Sequence, residues 1–412
     1  MLSPYRVLDL ADGRGAFCGK ILADLGAEVI KIEPPWGDSS RMIGPFYQDD
    51  AHSDKSLFWT CFANNKRSIT LNLKTKKGRQ LLERLVTSAH FLIESYRPGF
   101  LTELGLDYRS LRKLNPLLIM VSITAFGQSG PYKSYKATDL VGMALSGMMY
   151  LTGDPDRPPV RVSTPQFWTV GASSGAAGAM IANHHRLLTG QGQYVDVSCQ
   201  QAIARALSHA PMIWDLDRLN MKRQGPSRPV GKVNLRINWE CQDGYINFIQ
   251  PGGHTGGRSM MSLASWMDDE GYGHTILRET NWGDIGFGQL SPELVQRMTP
   301  PLEQFFKTKT KSVLAQEALA RRILLFPVND PKDVFEYPQL LARDFFHEVA
   351  PPLSTSGEGM IPTLGPFFKT NLNLNHAAHN SPGIGEANNE IYQQELRLTD
   401  AEIASLKDAQ VI

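Results

Sequence analysis

Short apolar segments alternate with segments of helical periodicity along the first part of the chain. Val7–Leu10 and Glu28–Glu33 have the pattern of buried strands. Phe17–Leu25 lies between them and has helical spacing that ends before Gly26. The alternation continues through Ser68–Leu73, Lys77–Ser88, Phe91–Glu94 and Leu118–Ile123. Because strands that alternate with helices are typical of a doubly wound parallel sheet, we predict an α/β fold with a Rossmann-like large domain.

A long helix is predicted over Val170–Leu188. Small residues recur along it three or four positions apart: Gly171, Ser174, Gly175, Gly178 and Ala182. They therefore share one helical face, on which another backbone can pack closely. Gly190 follows where a C-cap glycine is expected to end the helix.

The composition of the chain changes after Leu207 to glycine, proline and aromatic residues. Short strands are predicted around Leu235–Trp239 and Tyr245–Ile249, so this part forms a second, small α+β domain. Pro327–Gly385 is rich in Pro, Gly and Asn with little periodicity, and we expect it to wrap over the surface. We therefore divide the chain into the N-terminal part of the large domain, the small domain and a C-terminal segment, at residues 1–207, 208–320 and 321–412.

The bulk composition narrows the function classes. With 412 residues, 42% of them hydrophobic, the chain can bury a sizeable core. Lys and Arg number 42 against 41 acidic residues, so no global field favours nucleic acid or an anionic membrane. The four cysteines lack paired spacing, which indicates neither disulfides nor zinc. No window approaches the length of a membrane span, and we expect a cytoplasmic protein.

A glycine-bearing turn, Asp12–Cys18, lies between the first strand and the first helix and invites a dinucleotide-binding interpretation. The third glycine of that fingerprint is missing, because Cys18 occupies its place and would crowd the packing of helix on strand. We therefore expect neither a nicotinamide nor a flavin cofactor. The N-terminus of a helix, with its free N–H groups, still suits a phosphate or a thioester oxygen.

Thirteen short motifs follow one another in a fixed order along nearly the whole chain. They are Tyr5–Leu10, Leu25–Glu33, Asn64–Ser68, Glu94–Gly99, Leu104–Leu106, Leu114–Pro116, Phe126–Pro131, Thr189–Gln193, Val195–Ser198, Asp243–Ile246, Pro327–Asn329, Arg343–Phe346 and Ile361–Pro362. In these motifs the chain resembles the class III CoA-transferases, the formyl-CoA and carnitine CoA-transferase family. The resemblance implies that the C-terminal segment returns to the large domain, and that two such rings interlock into a dimer.

The position that carries the family's nucleophile holds Trp168 in this chain. In the family, an aspartate stands eighteen residues before the arginine that matches Arg186. That aspartate attacks an acyl-CoA thioester to form an acyl-aspartyl anhydride and then an aspartyl-CoA thioester. Because an indole cannot do this, we expect no catalytic residue at this position.

The resemblance also implies which residues contact CoA. The first turn would present backbone at Gly15 and Ala16. The other expected contacts are Lys66, Arg67, Tyr96, Arg97, Lys136 and Asp139. Two departures count against binding, because Pro34 and Glu103 stand where formyl-CoA transferase has arginines. A carboxylate repels a polyphosphate, so we expect CoA binding by this chain to be weakened or lost.

Other carboxylates and histidines offer weaker candidates for chemistry. The histidine and aspartate with which related racemases move a proton fall at Thr138 and Trp168, neither of which is a general base near neutral pH. Asp154 and Asp156 lie in a Gly-Asp-Pro-Asp sequence that turn chemistry explains. His184 and the histidine after it face different sides of a helix, so we expect no metal site.

A glycine-rich segment follows one of the small-domain strands, with Gly252, Gly253, Gly256 and Gly257 after Pro251. It resembles the family's loop that closes over the reacting thioester and shields it from water. A flexible hairpin is the plainer interpretation. In an interlocked dimer the loop would act at a site shared with the partner.

Together these features predict the subunit without a nucleophile in a heteromeric CoA-transferase. Its partner would be a homologous subunit that keeps the aspartate. The resemblance implies its substrates: an acyl-CoA, expected to be succinyl-CoA, and a carboxylic acid, at the narrowest the (R)-benzylsuccinate of anaerobic toluene degradation. CoA would be bound only as a substrate, by the partner or by this chain. Two alternatives stay open: a homodimeric transferase or racemase-like enzyme with a relocated carboxylate, and a non-enzymatic acyl-CoA-binding or scaffolding protein.

Overall fold

A computed structural model gives the structure of the chain and describes residues 1–250, 252–286, 288–351, 359–371 and 378–412. The chain forms two compact units. The first comprises Met1–Met148, Arg161–Arg218 and Leu341–Ile412, and the second comprises Met149–Val160 and Leu219–Leu340. The division at residues 207 and 320 that the sequence suggests stays a prediction.

The strands carry labels in chain order. They are β1 (Arg6–Asp9), β2 (Glu28–Glu33), β3 (Lys66–Thr70), β4 (Phe91–Glu94), β5 (Ile119–Thr124), β6 (Tyr194–Ser198), β7 (Ser227–Val230), β8 (Val233–Arg236), β9 (Asn238–Cys241), β10 (Gly244–Phe248), β11 (Leu325–Val328), β12 (Phe346–Val349) and β13 (Ile361–Leu364).

The helices are labelled in the same way. They are α1 (Ala16–Asp24), α2 (Leu57–Ala63), α3 (Lys76–Val86), α4 (Phe100–Glu103), α5 (Tyr108–Leu114), α6 (Asp139–Leu145), α7 (Phe167–Thr189), α8 (Cys199–Ala206), α9 (Ala210–Asp217), α10 (Gly253–Asp269), α11 (Thr275–Glu279), α12 (Pro292–Lys307), α13 (Lys311–Arg321), α14 (Pro331–Phe335), α15 (Pro338–Ala342) and α16 (Asp400–Asp408). Short 3₁₀ and π turns add Ser39–Met42, Tyr47–Asp49, Met149–Leu151 and Asn389–Glu395. Within the described residues, no helix has both the length and the apolar character needed to cross a bilayer.

A six-stranded parallel sheet organises the first unit, in the order β3-β2-β1-β4-β5-β6. The predicted α/β fold is confirmed. The chain builds outward from β1 to β2 and β3, then crosses to β4 on the other side of β1. The strand order therefore reverses between β1 and β4, and in open α/β sheets ligands bind beside the carboxyl ends of the strands at such a point.

The small-residue face of α7 packs within the first unit. A Cβ at Gly171 would lie 2.1 Å from the Cys199 sulfur, and a Cβ at Gly175 would lie 3.0 Å from the Ile123 side chain. Ser174 is exposed and does not belong to this face. The helix ends on Gly190, whose φ of 69° is the left-handed conformation predicted for its cap.

Buried ion pairs lie beside the first strands of the sheet. Lys66 Nζ is 2.8 Å from Asp9 Oδ2, and Lys31 Nζ is 2.7 Å from Asp38 Oδ2. The side chains of both pairs are almost completely shielded from solvent. Because breaking a buried pair leaves an uncompensated charge, these contacts fix the geometry of the neighbouring loops.

The second unit contains an antiparallel sheet in the order β11-β10-β9, with helices α10 to α13 in the same unit. The small α+β domain is thus confirmed. The single strand predicted over Leu235–Trp239 is instead two strands, β8 and β9, because the chain breaks its pairing at Ile237. An aromatic cluster fills this core, with the rings of Trp239 and Phe248 each packed on Phe306.

Candidate functional site

The loops that follow β1 and β4 are joined at the point where strand order reverses. The backbone N–H of Asp12 donates to Ser95 Oγ at 3.0 Å, and the Ser95 hydroxyl donates to Asp12 Oδ1 at 2.9 Å. These reciprocal bonds fix the crevice in which ligands of open α/β sheets bind.

Gly15 and Gly19 allow the first helix to approach the sheet. A Cβ at Gly15 would lie 2.7 Å from the Ala11 Cβ, and one at Gly19 would lie 2.3 Å from Asp9 Oδ2. Gly19 thus allows the close approach of helix to strand for which the dinucleotide fingerprint has a glycine at the position of Cys18. Gly15 and Ala16 are at the start of α1, beside the crevice, as the resemblance implies. Their contact with CoA stays a prediction.

Trp168 lies beside this crevice at the start of α7. Its half-buried indole packs edge-on against Phe167, and the Arg14 guanidinium lies 5.8 Å from its centroid. Arg14 in turn holds the Asp12 carboxylate through two nitrogens, at 2.9 and 2.7 Å. Burial acts to lower the pKa of Arg14, but Asp12 raises it overall. An indole, a guanidinium and a paired carboxylate therefore occupy the edge at which the resemblance predicts the family's nucleophile.

Asp139 caps the helix that carries Trp168. Its Oδ1 accepts the backbone N–H groups of Gln166 and Phe167, at 2.7 and 2.8 Å. These donors would otherwise be unpaired at the helix N-terminus. Asp139 therefore positions Trp168 in this structure, and the CoA contact predicted for it is not what this geometry shows.

Glu103, which stands where formyl-CoA transferase is expected to have an arginine, forms an ion pair with Arg97. Both terminal nitrogens of Arg97 donate to the Glu103 carboxylate, one of them at 2.8 Å. The hydrogen bond and charge of Glu103 raise the pKa of Arg97. Because the guanidinium fork that would match a phosphate is occupied, this pair weakens the case for CoA binding by Arg97.

The other predicted cations have different surroundings. Lys66 is buried, and its ammonium also donates to the Ala16 carbonyl at 3.0 Å, so it serves the fold and its predicted phosphate contact has no support here. Arg67 pairs with Glu28 and Glu390, at 2.5 and 2.7 Å. Lys136 is exposed and has no ion pair within the described parts of the chain, which keeps it a candidate.

Tyr96 and Glu94 flank Ser95 at the end of β4. The Tyr96 N–H donates to Glu94 Oε2 at 2.7 Å, and the Tyr96 ring packs on Phe100. Burial raises the pKa of Glu94 to about 7, against the opposing effect of the hydrogen bond from the Tyr96 N–H. Glu94 is therefore partly protonated near neutral pH.

Sequence analysis missed the residues that build the crevice. Lys31 interrupts an otherwise apolar strand, and it donates to the Ala11 carbonyl at 2.5 Å. A lysine inside a buried strand must be paired, which was the available signal. Asp12 and Ser95 are each the first polar residues beyond adjacent central strands, which was another.

The predicted glycine-rich loop is helical in this structure. Gly253, Gly256 and Gly257 lie in the first turns of α10, and Gly252 is its N-cap. Gly252 and Gly253 have φ of 68° and 67°, a conformation that side chains rarely adopt. A Cβ at Gly257 would lie 2.5 Å from the Trp282 carbonyl oxygen, so packing explains this glycine. Pro251 is outside the described residues, and the role of the segment at a reaction centre stays a prediction.

A family comparison covers most of the chain. The profile of CoA-transferase family III matches residues 2–388. The chain belongs to this family, and the predicted membership is confirmed.

Several characterised enzymes are similar to the chain. Subunit BbsE of succinyl-CoA:(R)-benzylsuccinate CoA-transferase from Thauera aromatica is 33% identical over 84% of this chain and 82% of its own length. The alpha subunit of a succinyl-CoA–L-malate CoA-transferase from Chloroflexus aurantiacus is 28% identical over 100% of this chain and 92% of its own. Succinyl-CoA–D-citramalate CoA-transferase from the same organism is 42% identical, over 49% of this chain and 50% of its own.

Solved structures also resemble the chain. A CAIB/BAIF family protein from Brucella suis superposes with a TM-score of 0.78 and 27% identity, over 95% of this chain and 98% of its own. The orthorhombic form of Rv3272 from M. tuberculosis superposes with a TM-score of 0.70 and 25% identity, over 93% of this chain and 97% of its own.

Proposed function

We propose that the chain is the subunit without a nucleophile in a heteromeric CoA-transferase of this family. The observation that carries the proposal is that Trp168, the residue predicted at the family's aspartate position, lies beside the crevice against Arg14 and Phe167. In the proposed complex, a homologous subunit that keeps the aspartate forms the acyl-aspartyl anhydride and the aspartyl-CoA thioester. This chain completes the assembly, as an interlocked dimer of the family type.

The other carboxylates near the crevice are poor substitutes for the missing nucleophile. Asp12 is held by the Arg14 fork and by Ser95, so attack on a thioester would first have to break these bonds. Asp9 is fully buried against Lys66. Glu94 is also buried, and its raised pKa keeps part of it in the neutral acid form, which is a weak nucleophile.

The charges at the proposed CoA-binding face support the proposal that this chain binds CoA weakly or not at all. Glu103 occupies Arg97, and Lys66 is turned inward to Asp9. A polyphosphate that approached this face would meet the Glu103 carboxylate near the cation it needs. Among the predicted cations, Lys136 alone is exposed with no ion pair in the described residues.

The names of three relatives support an acyl-CoA and a carboxylic acid as the substrates. Each of the three is named for succinyl-CoA and a carboxylic acid, and two of them are named as subunits. We infer succinyl-CoA as the donor and a carboxylic acid as the acceptor. (R)-Benzylsuccinate is the narrowest acceptor proposed, by similarity to BbsE.

Co-expression with an aspartate-bearing homologue tests the proposal. The purified chain alone should transfer no CoA from succinyl-CoA to (R)-benzylsuccinate or succinate analogues, and the co-purified pair should do so. Intact-mass analysis during turnover should find the CoA adduct on the partner only. An alanine at the partner's aspartate is the matched control and should abolish both signals. Turnover by this chain alone, or an adduct on it, would overturn the proposal.

One alternative is a homodimeric enzyme with a relocated carboxylate, for which Asp12 is the candidate despite its bonds to Arg14 and Ser95. Asp12 lies at the crevice and one residue from Gly13, close to where a thioester would meet the first turn. If that enzyme is the correct one, Asp12→Asn abolishes turnover by the single chain. A chain that binds acyl-CoA without turnover in any assembly would instead indicate a binding or scaffolding protein.

A further inference from the structure

A cavity of about 440 Å³ lies on one face of the sheet of the first unit, lined there by Glu94 of β4, Ser122 of β5 and Tyr194 of β6. Ile123 lies against Gly175 of α7, and Val195 against Gly178. Because successive side chains of a strand point to opposite faces, Ser122 lies on the face away from α7. The cavity is therefore separate from the face on which α7 packs.

Three polar residues form a row across this face. Glu94 pairs in register with Ser122, and Ser122 pairs in register with Asp196. Of these three, Glu94 and Ser122 line the cavity, whose walls also include Tyr108 and Tyr194.

Two hydroxyl groups that line the cavity are buried and unpaired. Ser122 is fully buried, and its Oγ makes no hydrogen bond within the described residues. The hydroxyl oxygen of Tyr108 is likewise shielded and without a partner there. Ser122 Oγ is near the Glu94 carboxyl and the Tyr194 hydroxyl, but neither contact has hydrogen-bonding geometry. A buried hydroxyl without a partner is costly, which indicates a ligand that supplies one.

The polar groups around the cavity favour a ligand that accepts hydrogen bonds. The Asp107 carboxylate already accepts the N–H groups of Arg109 and Ser110, and Asp196 accepts the N–H of Gln128. The Arg109 guanidinium is exposed at the rim and has no ion pair in the described chain. The Arg109 guanidinium and the two hydroxyls are lining groups that keep a free donor in the described residues, and all three can donate to an anion.

The apolar part of the lining comes from aromatic rings. Tyr108 and Tyr194 stack with centroids 5.6 Å apart, and Leu101 and Met120 complete the wall. Below its pKa of about 7, Glu94 is largely protonated, so its carboxyl O–H can donate a hydrogen bond to an anion beside it.

We propose that this cavity binds a small carboxylate. Its oxygens accept from the Ser122 and Tyr108 hydroxyls, Arg109 supplies positive charge at the mouth, and its carbon skeleton lies against the two tyrosine rings. The site is independent of the transferase proposal, because it requires neither CoA nor a nucleophile.

Calorimetric titration of the full chain, together with any subunit that co-purifies, tests this site. Benzoate and succinate are the probes, and benzamide is the neutral control. We expect at least one of the two acids to bind more tightly than benzamide. A preference for benzoate would indicate an aromatic monocarboxylate as the ligand, and a preference for succinate would indicate a dicarboxylate of the proposed reaction. Loss of a hydrogen bond to a charged acceptor in Ser122→Ala or Tyr108→Phe should weaken binding by about tenfold or more.

Thr124→Val is the matched control. Thr124 also has a buried, unpaired hydroxyl on β5, but it does not line the cavity. Affinity should therefore be unchanged in this variant. Tyr108→Phe keeps the test valid if Ser122→Ala does not fold. Failure of both acids to bind at millimolar concentration, equal binding of benzamide, or unchanged affinity in a folded lining variant would overturn the proposal.

Discussion

The Arg97 guanidinium donates through both terminal nitrogens to the carboxylate of Glu103, on the exposed surface next to the crevice. The two residues are six positions apart, so a single substitution at Glu103 adds a negative charge and also occupies the neighbouring cation. We therefore expect Glu103 to weaken phosphate binding in two ways, through its own charge and through its occupation of Arg97.

This pair leads to a prediction about restoring the nucleophile. Trp168→Asp alone should form no aspartyl-CoA adduct with succinyl-CoA, because the polyphosphate still meets Glu103 in place of a free Arg97. Trp168→Asp combined with Glu103→Gln should form more adduct, measured by intact mass. Trp168→Asp with the exposed Glu279→Gln is the control and should behave like the single variant. Full adduct formation by Trp168→Asp alone would show that the CoA pocket is intact.

Asp139→Ala should destabilise the first unit. It leaves the N–H groups of Gln166 and Phe167 without their acceptor at the start of α7. Loss of such a cap costs about 0.5–2 kcal/mol in the free energy of unfolding. Urea denaturation followed by tryptophan fluorescence measures it. The exposed Asp156→Ala should change the free energy by less than about 0.5 kcal/mol, and an equal effect of both variants would contradict the capping role.

Gly175→Leu should destabilise the chain by overpacking. A Cβ there already lies 3.0 Å from Ile123 and 3.4 Å from the Cys18 sulfur. Forcing a side chain into such a contact costs about 1–3 kcal/mol. Ala177→Leu, on the exposed side of the same helix, is the control for helix propensity. Thermal unfolding should separate the two, and similar melting temperatures would refute close packing at Gly175.

Glu94 should make the stability of the first unit depend on pH. Burial raises its folded-state pKa from 4.5 to about 7, so ionisation is easier in the unfolded chain. Stability is therefore full below pH 4.5, and it falls as the pH rises to the folded-state pKa of about 7, by up to about 3 kcal/mol. Glu94→Gln should remove this decline in urea denaturation at pH 5 to 8, and Glu279→Gln should not. A decline that persists in Glu94→Gln would assign it to another group.

Local pattern predicted part of the fold with residue accuracy. β2 and β4 were predicted with the bounds that the structure has, because each is an apolar run that starts and stops abruptly. The start of α7 was predicted three residues late, since Phe167–Trp168–Thr169 are held in the helix by Asp139. A capping residue so distant in sequence leaves no local signal.

The site shows the same limit. The assignment of Trp168 to the nucleophile position rests on its spacing from Arg186, and the structure places both residues on α7. Lys66 was assigned to phosphate, but it meets Asp9, 57 positions away, in the folded chain. Sequence shows that a cation is present, and only tertiary structure shows which carboxylate already holds it.

Neighbouring residues of α7 have separate roles. Phe167 is fully buried, and its ring occupies the space that a side chain at Gly142 would need, with Asp139 bonded to its N–H. The half-exposed side chain at position 168 contributes little to these anchors. The residue at position 168 can therefore change without removing the contacts that hold the start of α7 in place.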